Sequence, residues 1–129
     1  VLRRRLTFAE ALEVVRSSSL FTTHTPVPAG HDAFPEAMVR QYLSHYPGEL
    51  GIDWAQFIGL GRVDPEDPNE KFSMSVLACN LSQEVNGVSW LHGEVSKEIL
   101  GNLWPGYFKN ELHIGYIPTP LHRPSLFLL

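Results

Sequence analysis

Residues 21–34 read FTTHTPVPAGHDAF and follow an apolar segment that has the spacing of a helix. Thr25-Pro26 and Val27-Pro28 favour an extended backbone, because a residue that precedes proline avoids the α-helical region. Gly30 then permits a sharp bend. The stretch does not suit a helix, and only its beginning has the β-branched and aromatic composition of a strand. We predict a short buried strand at residues 20–23 that leads into a rigid loop bearing two histidines.

Helices are predicted on both sides of this loop. Thr7 and Glu10 have the spacing of a capping box, which predicts a helix over about residues 7–17. A second helix begins near Pro35, where the missing N–H of a proline costs nothing, and Pro47-Gly48 ends it. The remaining predicted elements are a short helix from Asp53 closed by Gly59 and Gly61, a buried helix over 72–81, a turn at Asn86-Gly87, a helix from Ser89 to Leu100 with Gly101 as its C-cap, a turn at 104–106 and a strand over 111–117.

Apolar side chains at helical spacing predict which face of each helix points inward. The predicted inward residues are Phe8, Ala11, Leu12 and Val15 in the first helix; Met38, Val39, Tyr42, Leu43 and Tyr46 in the second; Trp54, Phe57 and Ile58 in the third; Met74, Leu77, Ala78 and Leu81 in the fourth; and Leu91, Val95 and Ile99 in the fifth. Short strands separated by long helical connections indicate a helix-rich α/β protein rather than a closed sheet.

Composition excludes some classes of protein. The chain has 129 residues, of which 43% are hydrophobic, and a formal net charge of −4. The charge argues against a partner that is a nucleic acid, and Arg3-Arg4-Arg5 is read as a solvated helix flank. No apolar run approaches the roughly 20 residues that span a bilayer, so no membrane is expected. Cys79 is the only cysteine, which favours a cytoplasmic protein without disulfides. The start at Val1 suggests a piece of a longer sequence.

Familiar catalytic and metal-binding motifs are missing from the sequence. It contains no HExxH, CxxC, GxSxG, Walker A or GxGxxG pattern, so no metal ligands are assigned. Cys79 lies in an apolar helix and is interpreted as a core residue rather than a nucleophile. Glu94 and Glu98 are interpreted as a solvated helix face rather than an acid/base pair. The acidic segment DPEDPNE at residues 64–70 is interpreted as a solvated loop, with a carboxylate metal site as the alternative.

The polar side chains at the start of the loop suit a sugar. Sugar hydroxyls both donate and accept hydrogen bonds, and threonine hydroxyls and imidazoles can do the same. The two prolines stiffen the loop, so that little conformational entropy is lost on binding. The candidates are Thr22, Thr23, His24 and Thr25. From the residues alone, both a sugar or polyol site and simple structural packing of the loop remain open.

Two long segments make the sequence more specific than its chemistry. FTTHTPVPAGHDAF at 21–34 and VNGVSWLHGEVSKEI at 85–99 resemble segments of the bacterial and archaeal α-glucan (glycogen/maltodextrin) phosphorylases. LGRVDPEDP at 60–68 also fits, and the likeness runs from about residue 7 to residue 116. The resemblance implies that residues 1–129 are a fragment of the N-terminal catalytic-core domain. Its fold would be a partial, Rossmann-like slice of a type-B glycosyltransferase, in which two domains face a cleft.

The family's activity supplies expectations for individual residues. These enzymes transfer a terminal glucose of an α-1,4-glucan to phosphate and release glucose 1-phosphate with retained configuration. The resemblance therefore implies an α-1,4-glucan and phosphate as partners. It implies that His24 is catalytic and lies beside the glucose. Thr23 and Thr25 are further candidate substrate-binding residues because of the chemistry of their hydroxyls. Asn86, Gly87 and His92 would support the floor of the cleft, and His31 is interpreted as a loop anchor. Pyridoxal phosphate would be bound to a lysine of the C-terminal domain, which this chain lacks.

Departures from the family pattern limit what the chain alone should do. After Tyr116 the family continues VTNGVH, whereas residues 117–129 read IPTPLHRPSLFLL, an atypical tail with Thr119 in place of a glucose-contacting asparagine. Trp90 and Lys97 stand where arginine is commoner. Without the second wall of the cleft, we expect the isolated chain to be inactive, and its exposed apolar surface to favour self-association. The alternative hypothesis is a non-catalytic carbohydrate-binding or interaction module.

Overall fold

The computed structural model describes residues 5–24 and 27–116, and it has a helix-rich α/β architecture, as predicted. In chain order the helices are α1 (Phe8–Ser17), α2 (Glu36–Leu43), α3 (Tyr46–Leu50), α4 (Trp54–Gly59), α5 (Met74–Asn80) and α6 (Trp90–Leu100). The strands are β1 (Leu20–Thr23), β2 (Ala33–Phe34), β3 (Phe72–Ser73), β4 (Glu84–Gly87) and β5 (Ile114–Tyr116). Short 3-10 turns lie at Pro28–Gly30, Gly101–Leu103 and Lys109–Glu111.

A three-stranded parallel sheet organises the molecule. Its strand order is β1-β4-β5, with Thr23 opposite Gly87 and Gly87 opposite Tyr116. The carboxyl ends of the three strands therefore lie level at one edge of the sheet. In open α/β sheets this edge is the usual place for ligands, because the loops that leave the strands converge there.

A second, two-stranded sheet ties the loop after β1 to the body. Ala33 pairs with Ser73 and Phe34 with Phe72 in the antiparallel pair β2-β3. The Met74 N–H also donates to the Asp32 carbonyl over 3.0 Å. The return of the loop is thus fixed directly beside the first turn of α5.

Three predicted helix starts are confirmed by their caps. Thr7 and Glu10 form a reciprocal capping box at α1, and Asp53 and Gln56 form another at α4. At α6, the Ser89 hydroxyl accepts from the His92 N–H over 3.2 Å. Each cap satisfies backbone donors that the first turn of a helix leaves without partners.

The core consists of two clusters of buried side chains. The first cluster joins α5, α6 and the parallel sheet, and the second joins α2, α4 and β3. The first cluster therefore supports the carboxyl edge of the parallel sheet, and the second supports the return of the loop that follows β1. The first cluster contains Cys79, Val85, Leu100, Leu112 and Ile114, and the second contains Val39, Phe57, Ile58 and Phe72.

Glycines bring α6 into direct contact with the sheet. A Cβ placed on Gly87 would lie 2.7 Å from the Gly93 nitrogen of α6, which is closer than side chains permit. A Cβ placed on Gly93 would lie 3.1 Å from the Gly115 carbonyl oxygen of β5. The helix therefore packs backbone to backbone against β4 and β5.

One predicted turn and one predicted helix end are wrong. Asn86-Gly87 is not a turn, since both residues complete β4. The Asn-Gly signal belongs to two-residue antiparallel hairpins, whereas here the glycine is needed for the close approach of α6. Pro47-Gly48 does not end a helix, since α2 ends at Leu43 and Pro47 lies in the first turn of α3, where its missing N–H has no partner to lose.

Some inward faces were also predicted wrongly. In α6 the buried residues are His92, Gly93, Ser96 and Leu100, and Leu91 is 65% exposed. The close glycine contact selects small and polar side chains for the inner face, which an apolar count overlooks. In α5 the buried residues are Ser75, Val76 and Cys79, while Met74 is 46% exposed. The predicted helix over 72–81 begins at Met74, because Phe72 and Ser73 pair as β3. Four further residues predicted to point inward are exposed instead: Val15 of α1, Met38 and Tyr42 of α2, and Tyr46 of α3.

The predicted loop over 64–70 and a strand within 111–117 are confirmed. The strand at 20–23 is also confirmed, but it is not buried throughout, since Leu20 is 51% exposed and only Thr23 is buried. Gly101 follows α6 as predicted, but it has an ordinary helical conformation and begins a 3-10 turn. None of the helices within the described ranges has the length and apolarity that crossing a membrane requires.

Candidate functional site

A cavity of about 220 Å³ lies at the carboxyl end of β1. It is open to solvent, and it is lined by residues 21–24, 30–32, 74 and 75. These residues come from the end of β1, the returning loop and the first turn of α5. The antiparallel β2-β3 pair holds the last two segments together, so the cavity is built by the fixed return of the loop.

His24 is the first residue after β1, and its side chain is exposed at this cavity. Thr23 ends the strand, lies in the same lining and is 4% exposed. The structure thus brings two of the three predicted substrate-binding residues together. Thr25, the third, lies outside the described residues. An exposed imidazole beside a cavity with hydroxyl and carboxylate neighbours can donate to, or accept from, a polar ligand.

Thr22 connects the cavity to the central strand. Its hydroxyl donates to Asn86 Oδ1 over 2.9 Å, and Asn86 is 4% exposed. The bond fixes the orientation of the amide, whose Nδ2 has no hydrogen-bond partner among the described residues. Asn86 does not line the cavity itself, so it contacts the site only through Thr22.

His92 fixes the turn between β4 and α6. Its Nδ1 accepts from the Val88 N–H over 3.2 Å, and the side chain is 6% exposed. Because Nδ1 accepts, the ring proton lies on Nε2, which finds no acceptor within the described part of the chain. Gly87 and His92 both shape the contact of α6 with the sheet, and neither lines the cavity.

His31 and Ser75 connect the two other walls of the cavity. His31 Nδ1 lies 2.5 Å from the Ser75 hydroxyl, which joins the returning loop to α5. This contact agrees with the interpretation of His31 as a loop anchor. Ser75 was missed, because the apolar spacing of α5 assigned the inner face to Met74 and Leu77. No sequence signal marked it, since its partner is 44 residues away.

A hydrogen-bonded ion cluster stabilises the body behind the site. Glu36 Oε2 accepts from the buried Arg62 over 2.8 Å, and its Oε1 accepts from the Trp54 indole over 2.8 Å and from Arg40 over 3.0 Å. These bonds, that of Trp54 most strongly, lower the pKa of the Glu36 carboxyl to about 2. The Arg40 guanidinium also lies 4.2 Å from the centre of the Trp54 ring. The cluster joins α2, α4 and the segment that follows α4.

Residues set aside by the sequence analysis have structural partners. Cys79 is buried, and burial raises the pKa of its thiol to about 12, so it is a core residue as predicted. Glu94 is paired with Lys97 over 2.9 Å, and Glu98 with Lys109 over 2.8 Å, which agrees with a solvated helix face. Within the described ranges, no group of three or more histidine, cysteine, aspartate or glutamate side chains could hold a metal ion.

The lysines of the chain do not fit a Schiff base with pyridoxal phosphate. Such a lysine must lose its proton, which burial away from carboxylates favours. Lys97 and Lys109 are both ion-paired, and hydrogen bonding to Glu98 raises the pKa of Lys109. Lys71 is exposed at the surface.

A larger concavity of about 630 Å³ is lined by residues 20, 83–86 and 112–116. It includes Asn86 but neither His24 nor His31. The smaller cavity is therefore the better candidate site, because it gathers the polar side chains that the sequence analysis singled out.

Comparison with known proteins relates the chain to one kind of enzyme. The glycogen phosphorylase of Mycobacterium tuberculosis is 42% identical in an alignment of 126 positions that covers 93% of this chain and 14% of that protein. The maltodextrin phosphorylase of Thermococcus litoralis is 43% identical over 120 residues, with the same two shares. The glycogen phosphorylase of Aquifex aeolicus is 36% identical over 97% of this chain and 18% of that protein.

No family model matches the chain. It spans less than one fifth of the length of these curated relatives, and the identity extends over nearly all of it. A match that covers 93% of the chain spans the loop after β1, the 60–68 segment and the turn into α6. The chain thus corresponds, over nearly its whole length, to one segment of the glycogen and maltodextrin phosphorylases of bacteria and archaea.

Proposed function

We propose that this chain is part of an α-1,4-glucan phosphorylase, which transfers a terminal glucosyl unit to phosphate and releases glucose 1-phosphate with retained configuration. The observation that carries the proposal is the 42–43% identity to a glycogen and a maltodextrin phosphorylase over 93% of the chain. The partners are then an α-1,4-glucan and phosphate, and the protein is cytoplasmic.

Within that enzyme the chain is a partial Rossmann-like slice of a type-B glycosyltransferase domain and supplies the sugar-side wall of the cleft. The parallel order of β1, β4 and β5 supports this role, because such sheets bind ligands at their carboxyl edge. His24 lies at that edge with an exposed imidazole. Asn86, Gly87 and His92 form the support behind it, through the Thr22 hydrogen bond and the contact of α6 with the sheet.

His24 is the proposed catalytic residue, with Thr23 and Thr25 as neighbouring substrate contacts. Its ring can hydrogen-bond a glucose hydroxyl in a geometry that improves as the ring flattens toward an oxocarbenium-like transition state. Only interactions that strengthen in the transition state accelerate the chemical step. The role requires a fixed backbone, which the β2-β3 pair and the His31–Ser75 contact provide.

Pyridoxal phosphate, which the resemblance implies for the complete enzyme, is held outside this chain under the proposal. Two of the three lysines are occupied by carboxylates, and the third is exposed. We therefore expect the isolated chain to release no glucose 1-phosphate from glycogen and phosphate and to show no pyridoxal absorbance.

The proposal is tested by exchanging segments. Residues 7–116 of this chain replace the matching segment of the Thermococcus litoralis maltodextrin phosphorylase, and glucose 1-phosphate release is measured from maltoheptaose and phosphate. The proposal predicts a folded, active chimera. A chimera whose circular dichroism and melting match the parent enzyme, but which releases no glucose 1-phosphate, would contradict it.

A further inference from the structure

Two exposed aromatic side chains lie at the carboxyl edge of the parallel sheet and have no part in the site described so far. Tyr116 ends β5 and is 51% exposed. Trp90 is the first residue of α6, directly after the turn that leaves β4, and is 62% exposed. Large aromatic side chains exposed at such an edge are typical of surfaces that bind a ligand or partner.

The two residues lie on the same side of the sheet. Tyr116 is opposite Gly87, and α6 packs on both, since a Cβ on Gly93 would lie 3.3 Å from the Tyr116 Cβ. Residues three apart on a helix are neighbours on its surface. Trp90 therefore lies one turn beyond the Gly93–Tyr116 contact, toward the edge where β4 and β5 end.

The same edge carries His24. Strands β1 and β5 flank β4, and neighbouring strands are about 4.8 Å apart, so the backbones at His24 and Tyr116 are roughly 10 Å apart. This distance exceeds the width of one glucose ring. A second linked sugar can therefore lie between the His24 cavity and the aromatic pair without leaving the edge.

The chemistry of the pair fits a sugar rather than an anion or a metal. A glucose ring presents C–H groups on its faces, and the electron-rich faces of indole and phenol rings attract such groups. Tryptophan and tyrosine provide this area at a small cost in conformational entropy, and the tyrosine hydroxyl can also hydrogen-bond a sugar hydroxyl.

We propose that Trp90 and Tyr116 form an aromatic subsite that stacks on a glucan sugar unit next to the one contacted by His24. The inference rests on the proposed function, because it requires a glucan at this edge. It adds a residue pair that selects oligosaccharides over glucose. The competing occupant is a further stretch of polypeptide that packs on the two rings in a complete phosphorylase.

The test uses the 129-residue chain labelled with 5-fluorotryptophan and with isotopes in its histidines. The chain has three tryptophans, and two of them serve as internal references, since Trp54 is bonded to Glu36 and Trp104 packs against the core. Maltoheptaose and glucose are titrated separately. The inference predicts that maltoheptaose shifts both the Trp90 fluorine signal and the His24 ring signals, whereas glucose shifts those of His24 alone.

The other outcomes separate the two claims. If maltoheptaose shifts His24 and leaves Trp90 unchanged, the aromatic subsite is overturned while the sugar contact of His24 stands. If neither signal moves, the subsite is overturned and the proposed role of His24 loses its support in this chain.

Substitutions give a second, independent readout. Trp90→Ala should weaken maltoheptaose binding about tenfold, measured at His24, and leave glucose binding unchanged. Trp90→Phe, which keeps an aromatic face, should recover most of the loss. Phe108→Ala is the matched control, because Phe108 is 75% exposed but precedes β5 at the opposite edge of the sheet. Equal maltoheptaose affinities for Trp90→Ala and the unsubstituted chain would overturn the inference.

Discussion

Glu36 shows, at the scale of single residues, how a few charges fix the position of several elements. Its two carboxylate oxygens accept from Trp54, Arg40 and Arg62, of which Arg62 is only 5% exposed. Arg62 also donates through Nε to the Glu70 carbonyl over 2.9 Å, and the Glu70 carboxylate accepts from the Val63 and Asp64 N–H groups. The acidic loop is thus held by hydrogen bonds from Arg62 and from two of its own backbone N–H groups.

Glu36→Gln should destabilise the chain by about 3 kcal/mol, because removing one partner leaves the Arg62 charge buried without compensation. Urea unfolding followed by circular dichroism measures the change. Glu49→Gln is the control, since Glu49 is exposed on α3. Equal free energies of unfolding for the two variants would show that the ion cluster does not stabilise the fold.

Stability should also depend on pH through the same carboxyl. The folded-state pKa of Glu36 is about 2, against an ordinary value of 4.5, so the unfolded chain binds the proton more tightly. The contribution of Glu36 is therefore fully present above pH 4.5 and is lost as the pH falls toward 2. Urea midpoints measured from pH 6 to pH 2 should fall less steeply for Glu36→Gln than for the unsubstituted chain. Parallel curves would contradict the assignment.

Cys79 should be unreactive while the chain is folded. Burial raises the pKa of its thiol to about 12, and the reactive form is the thiolate. We expect labelling by a disulfide reagent at pH 8 to be about 100-fold slower than in urea-unfolded chain. Labelling at similar rates in both states would mean that α5 does not bury the thiol.

At the scale of elements, the contact of α6 with the sheet determines the shape of the carboxyl edge. Glycine is required at position 87 of β4 because a side chain there would collide with the backbone of α6. Gly115 lies in the neighbouring strand β5, and a Cβ placed on it would have nothing within 4 Å. The sheet therefore has no space for a side chain at Gly87 but has space for one at Gly115.

Gly87→Ala should destabilise the chain by about 2 kcal/mol, because α6 must shift off the sheet to admit a methyl group. Gly115→Ala should change the free energy of unfolding by less than about 0.5 kcal/mol, or stabilise the strand slightly. Thermal or urea unfolding of the two variants provides the comparison. The packing described for α6 would be wrong if both substitutions had the same effect.

The same region shows what sequence can and cannot predict about elements. The caps at Thr7, Asp53 and Ser89 could be predicted because each capping side chain and the backbone N–H that it accepts from lie within one helical turn. The role of Gly87 could not be predicted, because the need for glycine comes from α6, which packs on β4 from another layer. The pairing of β2 with β3 was invisible for the same reason, since each strand has two residues and its partner lies far along the chain.

At the scale of the whole molecule, the candidate site combines residues that local sequence indicates with residues that only contacts between distant segments bring together. His24 was predicted as a candidate from local composition, because prolines, threonines and histidines mark an extended polar loop. The wall formed by His31 and Ser75 depends on a contact between distant segments, and no periodic pattern indicates it. The register of three parallel strands then brings the end of β1 level with Gly87 and Tyr116.

The proposed function depends above all on a contact between His24 and the glucosyl unit in an α-glucan phosphorylase. Its most direct test is glucose 1-phosphate release by the segment-exchange chimera that carries His24→Ala, with His45→Ala as the control because His45 is exposed between α2 and α3. Loss of a catalytic contact should lower kcat at least about 100-fold and leave the melting temperature within about 2 °C, whereas His45→Ala should change neither. Unchanged turnover in the His24→Ala chimera, or a loss of activity matched by a loss of melting temperature, would mean that His24 is not a catalytic contact.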